Sequence, residues 1–177
     1  ISNLNIIEIS DKSTFILKDE SILLKTLNCF NREFKNKNKF KITLKKDIPI
    51  GAGLGGGSSD SATLLLGLRY FYNRNPSNSK KITLTKLKEI GLKIGSDIPA
   101  CIVGKSLKLS GVGEKLEKIY IPKNYKFLLI YPNKILSTKL VFNNFDFRTE
   151  NDLNPMYFNK IKIYNSLKFV SQSIEPE

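Results

Sequence analysis

Five glycines fall within the stretch Pro49-Ile50-Gly51-Ala52-Gly53-Leu54-Gly55-Gly56-Gly57-Ser58-Ser59, which separates a predicted strand from a predicted helix. Glycine allows backbone N–H groups to point into one concavity and to approach an anion closely. The amino end of the helix that follows adds unpaired N–H groups and the positive end of its dipole. The hydroxyls of Ser58 and Ser59 offer further phosphate contacts, or a ligand for Mg²⁺. The stretch therefore predicts a phosphate-binding loop. The alternative is a flexible turn with a serine at the helix cap.

Three better-known glycine motifs do not fit this stretch. Gly51-x-Gly53-x-x-Gly56 has the spacing of the dinucleotide fingerprint, but that fingerprint needs an acidic residue about 20 positions further on. Residues 75–81 contain no carboxylate. A Walker A loop needs a lysine directly before its Ser or Thr, whereas Gly57 precedes Ser58. Protein kinases need a His-Arg-Asp catalytic loop, and the chain contains no histidine.

The chain of 177 residues contains no histidine and two cysteines, Cys29 and Cys101. Within these residues there is thus no Ser-His-Asp or Cys-His pair and no His-bound metal. Proton transfer then falls to a carboxylate, lysine, tyrosine or water. The two cysteines are too far apart in sequence for a zinc site, and a disulfide framework needs more bridges. We expect each to be a small buried hydrophobic residue in a reducing compartment.

The charge balance is strongly basic, with 29 Lys and Arg residues against 16 Asp and Glu residues and a formal net charge of +13. A basic surface attracts polyanions, so nucleic acid must be weighed beside phosphorylated small molecules. Only four of the basic residues are arginine, the residue suited to bidentate phosphate and guanine contacts. This composition disfavours a dedicated nucleic-acid surface. No apolar run approaches the ~20 residues needed to cross a membrane.

Hydrophobic periodicity predicts a mixture of strands and helices. Strands are predicted over residues 4–9, 14–17, 40–44, 106–109 and 125–131, and helices over residues 21–34, 58–72 and 84–94. Helix 58–72 is apolar on most of its faces, which predicts a buried helix. Strand 125–131 is the most apolar of the predicted strands, and the polar break at residues 122–124 predicts a domain boundary before it.

Three separate stretches, in this order, resemble the GHMP kinase superfamily of galactokinase, homoserine, mevalonate and phosphomevalonate kinases. They are the glycine stretch with Asp60-Ser61-Ala62, then Gly95-Ser96-Asp97-Ile98-Pro99, and then Gly111-Val112-Gly113-Glu114-Lys115-Leu116. Three matches in one order are far more specific than one glycine loop. The resemblance spans about residues 20–153, and the chain is most similar to the superfamily member that acts on a cytidine-diphosphate-linked methylerythritol.

The resemblance implies an α+β fold of the GHMP kinase type. An N-terminal ATP-binding domain, like domain 2 of ribosomal protein S5, is expected over residues 1–122, and the beginning of a ferredoxin-like C-terminal domain over residues 123–177. The resemblance further implies a phosphotransferase that uses ATP and Mg²⁺. It would move the γ-phosphate of ATP to the 2-hydroxyl of the cytidine-diphosphate-linked substrate, on the non-mevalonate route to isoprenoid precursors.

By its position in the second stretch, Asp97 corresponds to the catalytic Asp of the superfamily, where it also contacts the acceptor substrate. A carboxylate just after a helix stop can accept the proton of the attacking hydroxyl, while Mg²⁺ and the glycine loop neutralise the phosphates. The alternative role for Asp97 is that of a helix cap before Pro99.

The resemblance also assigns residues to ATP and to the acceptor. The ATP-binding candidates are Pro49, Gly51, Ala52, Gly53, Leu54, Gly55, Gly56, Gly57, Ser58, Ser59, Lys46 and Ser21, with Ser58 also a candidate Mg²⁺ ligand. Lys46 would equally suit a solvated strand end, and Ser21 stands where the superfamily member has Asn. Phe142, following Thr138, falls where that member stacks an aromatic ring on cytosine; core packing is the alternative.

Two parts of the superfamily pattern do not occur in the sequence. We expect a segment with a Lys beside the catalytic Asp and an aromatic-His pair before Ile1, and a Gly-Ser-Gly motif after Glu177. The resemblance implies a monomer or homodimer in the bacterial cytoplasm, or in a plastid-type organelle if the source is eukaryotic.

Two other functions remain open at this point. Another GHMP kinase, of the mevalonate or homoserine type, is disfavoured by the three glycines before Ser58. A non-catalytic or RNA-binding module belongs to a different class, since S5-like domains also occur on RNA and the chain is basic.

Overall fold

The computed structural model describes residues 6–10, 22–45, 52–131, 134, 136–145, 156–158, 161–163 and 165–176. The elements in chain order are β1 (Ile6–Ser10), α1 (Ile22–Phe34), β2 (Lys41–Lys45), α2 (Gly56–Arg74), α3 (Leu84–Ile94), α4 (Ile98–Val103), β3 (Leu107–Ser110), β4 (Lys115–Lys118), α5 (Thr138–Asn143), β5 (Met156–Phe158), β6 (Ile161–Ile163) and α6 (Lys168–Ile174). This mixture is the predicted α+β class.

The chain divides into two compact units. The first consists of Ile1–Ile48 with Gly55–Leu128, and the second of Pro49–Leu54 with Leu129–Glu177. The first unit contains α1 to α4 and the strands β1 to β4. The second contains α5, α6 and the antiparallel pair β5–β6. The predicted domain boundary after residue 122, and the S5-like and ferredoxin-like assignments, stay predictions.

Helix α1 confirms the predicted periodicity. Leu23, Leu27 and Phe30 repeat at intervals of three and four residues, which places them on one helix face, and all three are buried. The helix ends at Phe34, and Lys35, which follows, has a left-handed φ of 49°. The N–H of Asn36 then donates to the carbonyl of Asn31 at 3.0 Å. This bond satisfies a carbonyl that the helix end would otherwise leave free.

Helix α2 is longer than predicted, and only part of its surface is buried. It begins two residues before Ser58 and ends two residues after Tyr72. Its buried residues are Ser61, Ala62, Leu65 and Leu68, whereas Phe71 is 61% exposed. The prediction of a helix buried on most faces was therefore wrong: the apolar residues outside the Ala62–Leu65–Leu68 stripe lie at its margins or in solvent.

The hydrophobic core of the first unit lies between its helices. Phe30, Leu65, Leu87 and Ile98, one from each of α1 to α4, are each 0% exposed and belong to one cluster. Full burial of one such side chain stabilises the fold by roughly 1.5–3 kcal/mol. The core therefore holds the four helices against one another.

Helices α3 and α4 approach each other closely at Gly91. A Cβ atom added there would lie 2.8 Å from Cγ2 of Ile98 and 3.1 Å from Cδ1 of Ile102, closer than real Cβ contacts. Helix α3 begins at Thr83, whose side chain accepts a hydrogen bond from the N–H of Lys86 at 3.1 Å, an ordinary N-cap. Helix α3 matches the predicted span.

The strands form pairs. Strand β1 pairs in parallel with β2, and β3 pairs antiparallel with β4, so that Leu109 lies opposite Leu116. The strands predicted over residues 40–44 and 106–109 are confirmed within a residue. The first predicted strand overlaps β1, and the second, over residues 14–17, lies outside the described residues.

The prediction of a strand over residues 125–131 was wrong. These residues form no strand, and Phe127, Leu128 and Ile130 are 78%, 87% and 79% exposed. A strand needs a hydrogen-bonded neighbour, and this segment has none within the described residues. Apolarity alone therefore did not make a strand here.

Neither cysteine forms a disulfide, and each is partly buried against the core. Burial, followed by the charge of Asp97, raises the pKa of the Cys101 thiol, so this thiol stays protonated near neutral pH. No helix in the described part of the chain is long and apolar enough to span a membrane.

Candidate active site

The amino end of α2 is built from the second half of the glycine stretch. Gly55 occupies the N-cap position with φ of 67°, in the left-handed region, and no side chain caps the helix. A Cβ atom at Gly55 would meet nothing within 4 Å. The backbone angle, rather than a lack of space, therefore favours glycine here.

The first turn of α2 presents free hydrogen-bond donors. The N–H of Ser59 donates to the carbonyl of Gly55 at 2.9 Å and closes the first helical turn. The N–H groups of Gly56, Gly57 and Ser58 have no acceptor among the described residues. An uncapped helix start with free N–H groups and the positive dipole end is an anion-binding geometry. The glycine stretch thus gives a shorter loop and an earlier helix than predicted.

The start of α2 lies against the start of α1. A Cβ atom at Gly57 would lie 3.5 Å from Cγ2 of Ile22. Ile22 follows Ser21, the predicted adenine-side residue, which lies outside the described residues. The amino ends of two core helices, both predicted to contact ATP, are therefore neighbours.

Asp97 is exposed and stands at the N-cap of α4. Its carboxylate makes no capping hydrogen bond; instead Oδ1 accepts from the hydroxyl of Ser96 at 3.4 Å. Asp97 therefore occupies the N-cap position, as the alternative role predicted, but its carboxylate does not cap the helix. No hydrogen bond among the described residues joins Asp97 to the segment Gly55–Ser59.

The structure brings the second and third sequence stretches together. Gly113 has φ of 102° and is buried. A Cβ atom there would lie 2.8 Å from the carbonyl carbon of Ser96 and 3.0 Å from its Cα, so only glycine allows this approach. The turn Gly111–Glu114 therefore lies against the backbone just before Asp97 and supports it.

Glu114 fixes that turn. Its carboxylate accepts a hydrogen bond from the N–H of Val112 at 2.7 Å. Bonds from its own N–H and from that of Val112 lower the pKa of Glu114 below its ordinary value of 4.5. The acidic residue of the third stretch thus has a local structural role, in holding the turn that contacts Ser96.

Sequence reasoning missed Lys25. Its Nζ donates to the carbonyl of Ile94 at 3.3 Å, where α3 ends just before Gly95. The bond links α1 to the turn that leads to Asp97. The residues around Lys25 give no local signal for this bond, because its partner lies 69 positions further along the chain.

The remaining candidates belong to the second unit or lie outside the described residues. In the second unit, Gly53 has φ of 71° and Leu54 is 46% exposed, while Ala52 is half-buried. Thr138 begins α5 and is exposed, and Phe142 in the same helix is 56% exposed. Core packing therefore does not account for Phe142. The structure does not describe Lys46, Pro49, Gly51 or Ser21.

The described residues hold no group of three or more Asp, Glu, Cys or His side chains that could bind a metal ion. The hydroxyls of Ser58 and Ser59 have no partner among them. This donor set fits an ion held mainly by phosphate oxygens and water with one or two protein ligands, which is how Mg²⁺ is usually bound beside nucleotides.

Comparison with known proteins agrees with the class that the three stretches predicted. The family described as GHMP kinases N terminal domain matches residues 21–105. The chain therefore belongs to the GHMP kinase superfamily, as the three stretches predicted.

Within that superfamily, similar curated proteins carry the name 4-diphosphocytidyl-2-C-methyl-D-erythritol kinase. The protein from Clostridium perfringens (strain SM101 / Type A) is 35% identical over 175 residues, which are 98% of this chain and 55% of that protein. The protein from Wigglesworthia glossinidia brevipalpis is 47% identical over 116 residues, 63% of this chain and 36% of that protein. The protein from Buchnera aphidicola subsp. Schizaphis graminum (strain Sg) is 38% identical over 147 residues, 83% and 48% respectively.

A solved structure supports the fold. The crystal structure of 4-(cytidine 5'-diphospho)-2C-methyl-D-erythritol kinase aligns with a TM-score of 0.62 at 22% identity, over 98% of this chain and 62% of that chain. At this identity the likeness establishes the GHMP kinase fold. The chain spans about half the length of the curated relatives it matches.

Proposed function

We propose that this chain is part of an ATP-dependent kinase that phosphorylates the 2-hydroxyl of 4-diphosphocytidyl-2-C-methyl-D-erythritol. The names of the relatives support the acceptor. The observation that carries the proposal is the uncapped start of α2, where three successive N–H groups lack acceptors among the described residues.

In this function the start of α2 binds the triphosphate of ATP. The N–H groups of Gly56, Gly57 and Ser58 donate to phosphate oxygens, and the helix dipole adds a favourable potential. Glycine at positions 56 and 57 leaves the backbone uncovered, so phosphate can approach closely. Pro49, Gly51, Ala52, Gly53 and Leu54 form the rest of the proposed loop, with Lys46 and Ser21 toward the nucleotide.

Asp97 is the proposed base. Its exposed carboxylate is not used as a helix cap and accepts a long bond of 3.4 Å from the Ser96 hydroxyl. It is therefore available to accept the proton of the acceptor's 2-hydroxyl as the oxygen attacks the γ-phosphorus. The contact of Gly113 with the Ser96 backbone and the bond from Lys25 to Ile94 hold this segment in position. A fixed base is worth more than a mobile one because its geometry is preset.

Ser58, with Ser59 beside it, would be the protein ligand for a Mg²⁺ ion bound with ATP, and the ion would supply positive charge next to the transferred phosphoryl group. Thr138 and Phe142 are proposed acceptor contacts, with the exposed Phe142 ring available to stack on cytosine. A cytoplasmic location and a monomeric or homodimeric state belong to the same proposal.

The experiment that tests the base is Asp97→Asn in the full-length protein. We expect kcat to fall by about 10²- to 10⁴-fold, the range that a positioned base contributes, with ATP affinity largely unchanged. Glu117→Gln, which removes an exposed carboxylate on β4, is the control and keeps the rate. If Asp97→Asn retains most of the rate, Asp97 is not the base.

The basic charge of the chain favours testing RNA as a second candidate ligand. Titration of the chain with ATP–Mg²⁺ and with RNA at physiological salt separates the two functions. We expect nucleotide binding, together with RNA binding that is weak and lost with added salt. Tight RNA binding without nucleotide binding would remove the kinase proposal.

A further inference from the structure

A concave site lies in the first unit, away from the glycine segment. Its cavity volume is about 430 Å³, and its walls come from the end of α1, the end of α2 and the segment that leads into α3. This volume is within the range of about 300–1,000 Å³ that small-molecule sites occupy. None of the candidate active-site residues lines it.

The groove and the proposed ATP site are at opposite ends of α2. Tyr72, which lines the groove, is sixteen residues after Gly56, where the helix starts. At 1.5 Å per residue the two ends are roughly 24 Å apart. A ligand in the groove therefore does not share the phosphate donors of Gly56, Gly57 and Ser58.

The groove has an apolar, aromatic wall. Phe34 and Tyr72 line it, and their ring centroids are 5.4 Å apart. Both rings are half-buried, and Ile82 between the lysines and α3 is buried. Phe34 and Tyr72 therefore give the groove an aromatic wall, against which a planar group can pack.

Unpaired positive charge surrounds this aromatic wall. Lys35, Lys80 and Lys81 line the groove and are exposed, and none has a carboxylate partner among the described residues. The single acidic residue of the lining, Glu33, is already paired: Lys86 lies 2.8 Å and Lys93 3.1 Å from its carboxylate oxygens. The lining therefore offers net positive charge to a ligand.

Helix α3 adds to this potential. Thr83, its N-cap, and Lys86 in its first turn both line the groove. The amino end of an eleven-residue helix thus borders the cavity and contributes the positive end of its dipole. Three lysines and the helix end thus border one concavity, which suits a compact polyanion better than an extended one.

We propose that this groove binds a small polyanion of the nucleoside-phosphate class, with the planar ring against Phe34 and Tyr72 and the phosphates on Lys35, Lys80 and Lys81. The charge complementarity selects the phosphates, and the aromatic wall selects a ring. The site is independent of the proposed kinase function, because it uses none of the residues assigned to ATP or the acceptor.

The test uses guanosine diphosphate as the probe, with inorganic pyrophosphate as the charge-only comparison, measured by calorimetry and by ¹⁵N chemical-shift mapping. We expect guanosine diphosphate to shift the amides of Tyr72 and Thr83 and to bind more tightly than pyrophosphate. The double variant Lys80→Ser/Lys81→Ser should lower the affinity of this site for guanosine diphosphate at least tenfold. The control Lys123→Ser/Lys126→Ser removes the same charge from exposed lysines outside the groove. It should lower the affinity for guanosine diphosphate less than twofold.

Each other outcome overturns the proposal. Equal losses in the two double variants would mean general attraction to a basic surface. If pyrophosphate binds as tightly as guanosine diphosphate, the planar ring contributes nothing to binding, and the proposed contact with Phe34 and Tyr72 is wrong. Shifts confined to Gly56, Gly57 and Ser58 would place the probe at the ATP site only, and single-stranded RNA binding that depends on Lys80 and Lys81, without guanosine diphosphate binding, would assign the groove to nucleic acid.

Discussion

At the scale of single residues, Gly113 joins two stretches that are separate in sequence. Its φ of 102° favours glycine, and its contact with the backbone of Ser96 leaves no room for a Cβ atom. The sequence showed glycine in the third stretch but not what it touches, because the contact joins residues seventeen positions apart through tertiary packing. The function of Gly113 is to let the turn support Asp97.

Gly113→Ala is expected to destabilise the chain more than Gly104→Ala. Both positions have positive φ, which costs an L residue roughly 1–2 kcal/mol, but at Gly104 the nearest atom to an added Cβ is 3.8 Å away. At Gly113 the Ser96 backbone must also move. Urea denaturation measures both losses of unfolding free energy, and equal losses would contradict the close contact.

Glu114→Gln tests the same turn through pH. Because the folded pKa of Glu114 is lowered below 4.5, its carboxylate stabilises the fold above that pH. The stabilisation is lost as the pH falls through the folded pKa. The parent chain should therefore unfold at a higher temperature than the variant at neutral pH. This difference should disappear well below pH 4.5. A difference that does not change with pH would contradict the bonds from Val112 and Glu114.

The residues of the candidate site were only partly predictable. Glycine density, a local property, predicted unpaired N–H groups at the amino end of α2 but placed that end at Ser58 instead of Gly56. The role of Lys25 could not be predicted, because a hydrogen bond to Ile94 leaves no mark in the residues around Lys25. The burial of Ser61 could not be predicted either, because its neighbours predict an ordinary helix. Ser61 is fully buried, and its hydroxyl lacks a partner in the described part of the chain.

At the scale of elements, the fit of α3 against α4 positions Asp97. Asp97 stands at the start of α4, and α4 can lie this close to α3 because position 91 has no side chain. Gly91 is a buried residue inside a helix, where glycine is otherwise unfavourable. The close approach of the two helices accounts for its presence.

Gly91→Ala and Gly67→Ala should change stability in opposite directions. Both glycines lie inside helices, but an added Cβ meets Ile98 at 2.8 Å in the first and nothing within 4 Å in the second. Overpacking costs typically 1–3 kcal/mol, whereas replacing an open helical glycine gains about 0.5–1 kcal/mol. Thermal and urea unfolding of the two variants measure the difference. Stabilisation by both would contradict the α3–α4 contact.

The three longer helices α1, α2 and α3 were predicted because their signal is local, whereas the short helices α4, α5 and α6 were not predicted. The spacing of Leu84, Leu87, Ile90 and Ile94 is sufficient to define α3, and the structure has the same bounds. The start of α2 was placed too late because Gly56 and Gly57 have low helix propensity, yet they form its first turn. Strand 125–131 failed because a strand depends on a partner that the segment itself does not encode.

At the scale of the whole molecule, one segment of the described residues exposes consecutive apolar side chains. Phe127, Leu128, Leu129 and Ile130 are consecutive and each at least 65% exposed. Contiguous exposed apolar side chains with extended-chain propensity promote association between molecules. The high net charge of +13 opposes such association.

Phe127→Lys with Leu128→Lys should reduce aggregation of this chain without loss of stability. Both side chains are largely exposed, so the change in unfolding free energy should stay within about ±0.5 kcal/mol for each substitution. Light scattering and urea unfolding measure the two quantities. A loss of several kcal/mol would show that the segment is packed against the fold.

The superfamily could be predicted from the sequence because its three stretches are short and specific. The arrangement of those stretches could not, since it depends on helix packing through Phe30, Leu65, Leu87 and Ile98 and on glycine contacts across the fold. The lysine groove was also not predicted. Lys35 lies far in sequence from Lys80 and Lys81, so the sequence does not show that the fold brings these lysines to one cavity.

The most direct measurement is ¹⁵N chemical-shift mapping of the chain during titration with ATP–Mg²⁺. Binding of the triphosphate at the start of α2 predicts the largest amide shifts at Gly56, Gly57 and Ser58, because these N–H groups donate to phosphate oxygens. If those three amides do not move while ATP–Mg²⁺ shifts others, the uncapped start of α2 is not the phosphate site.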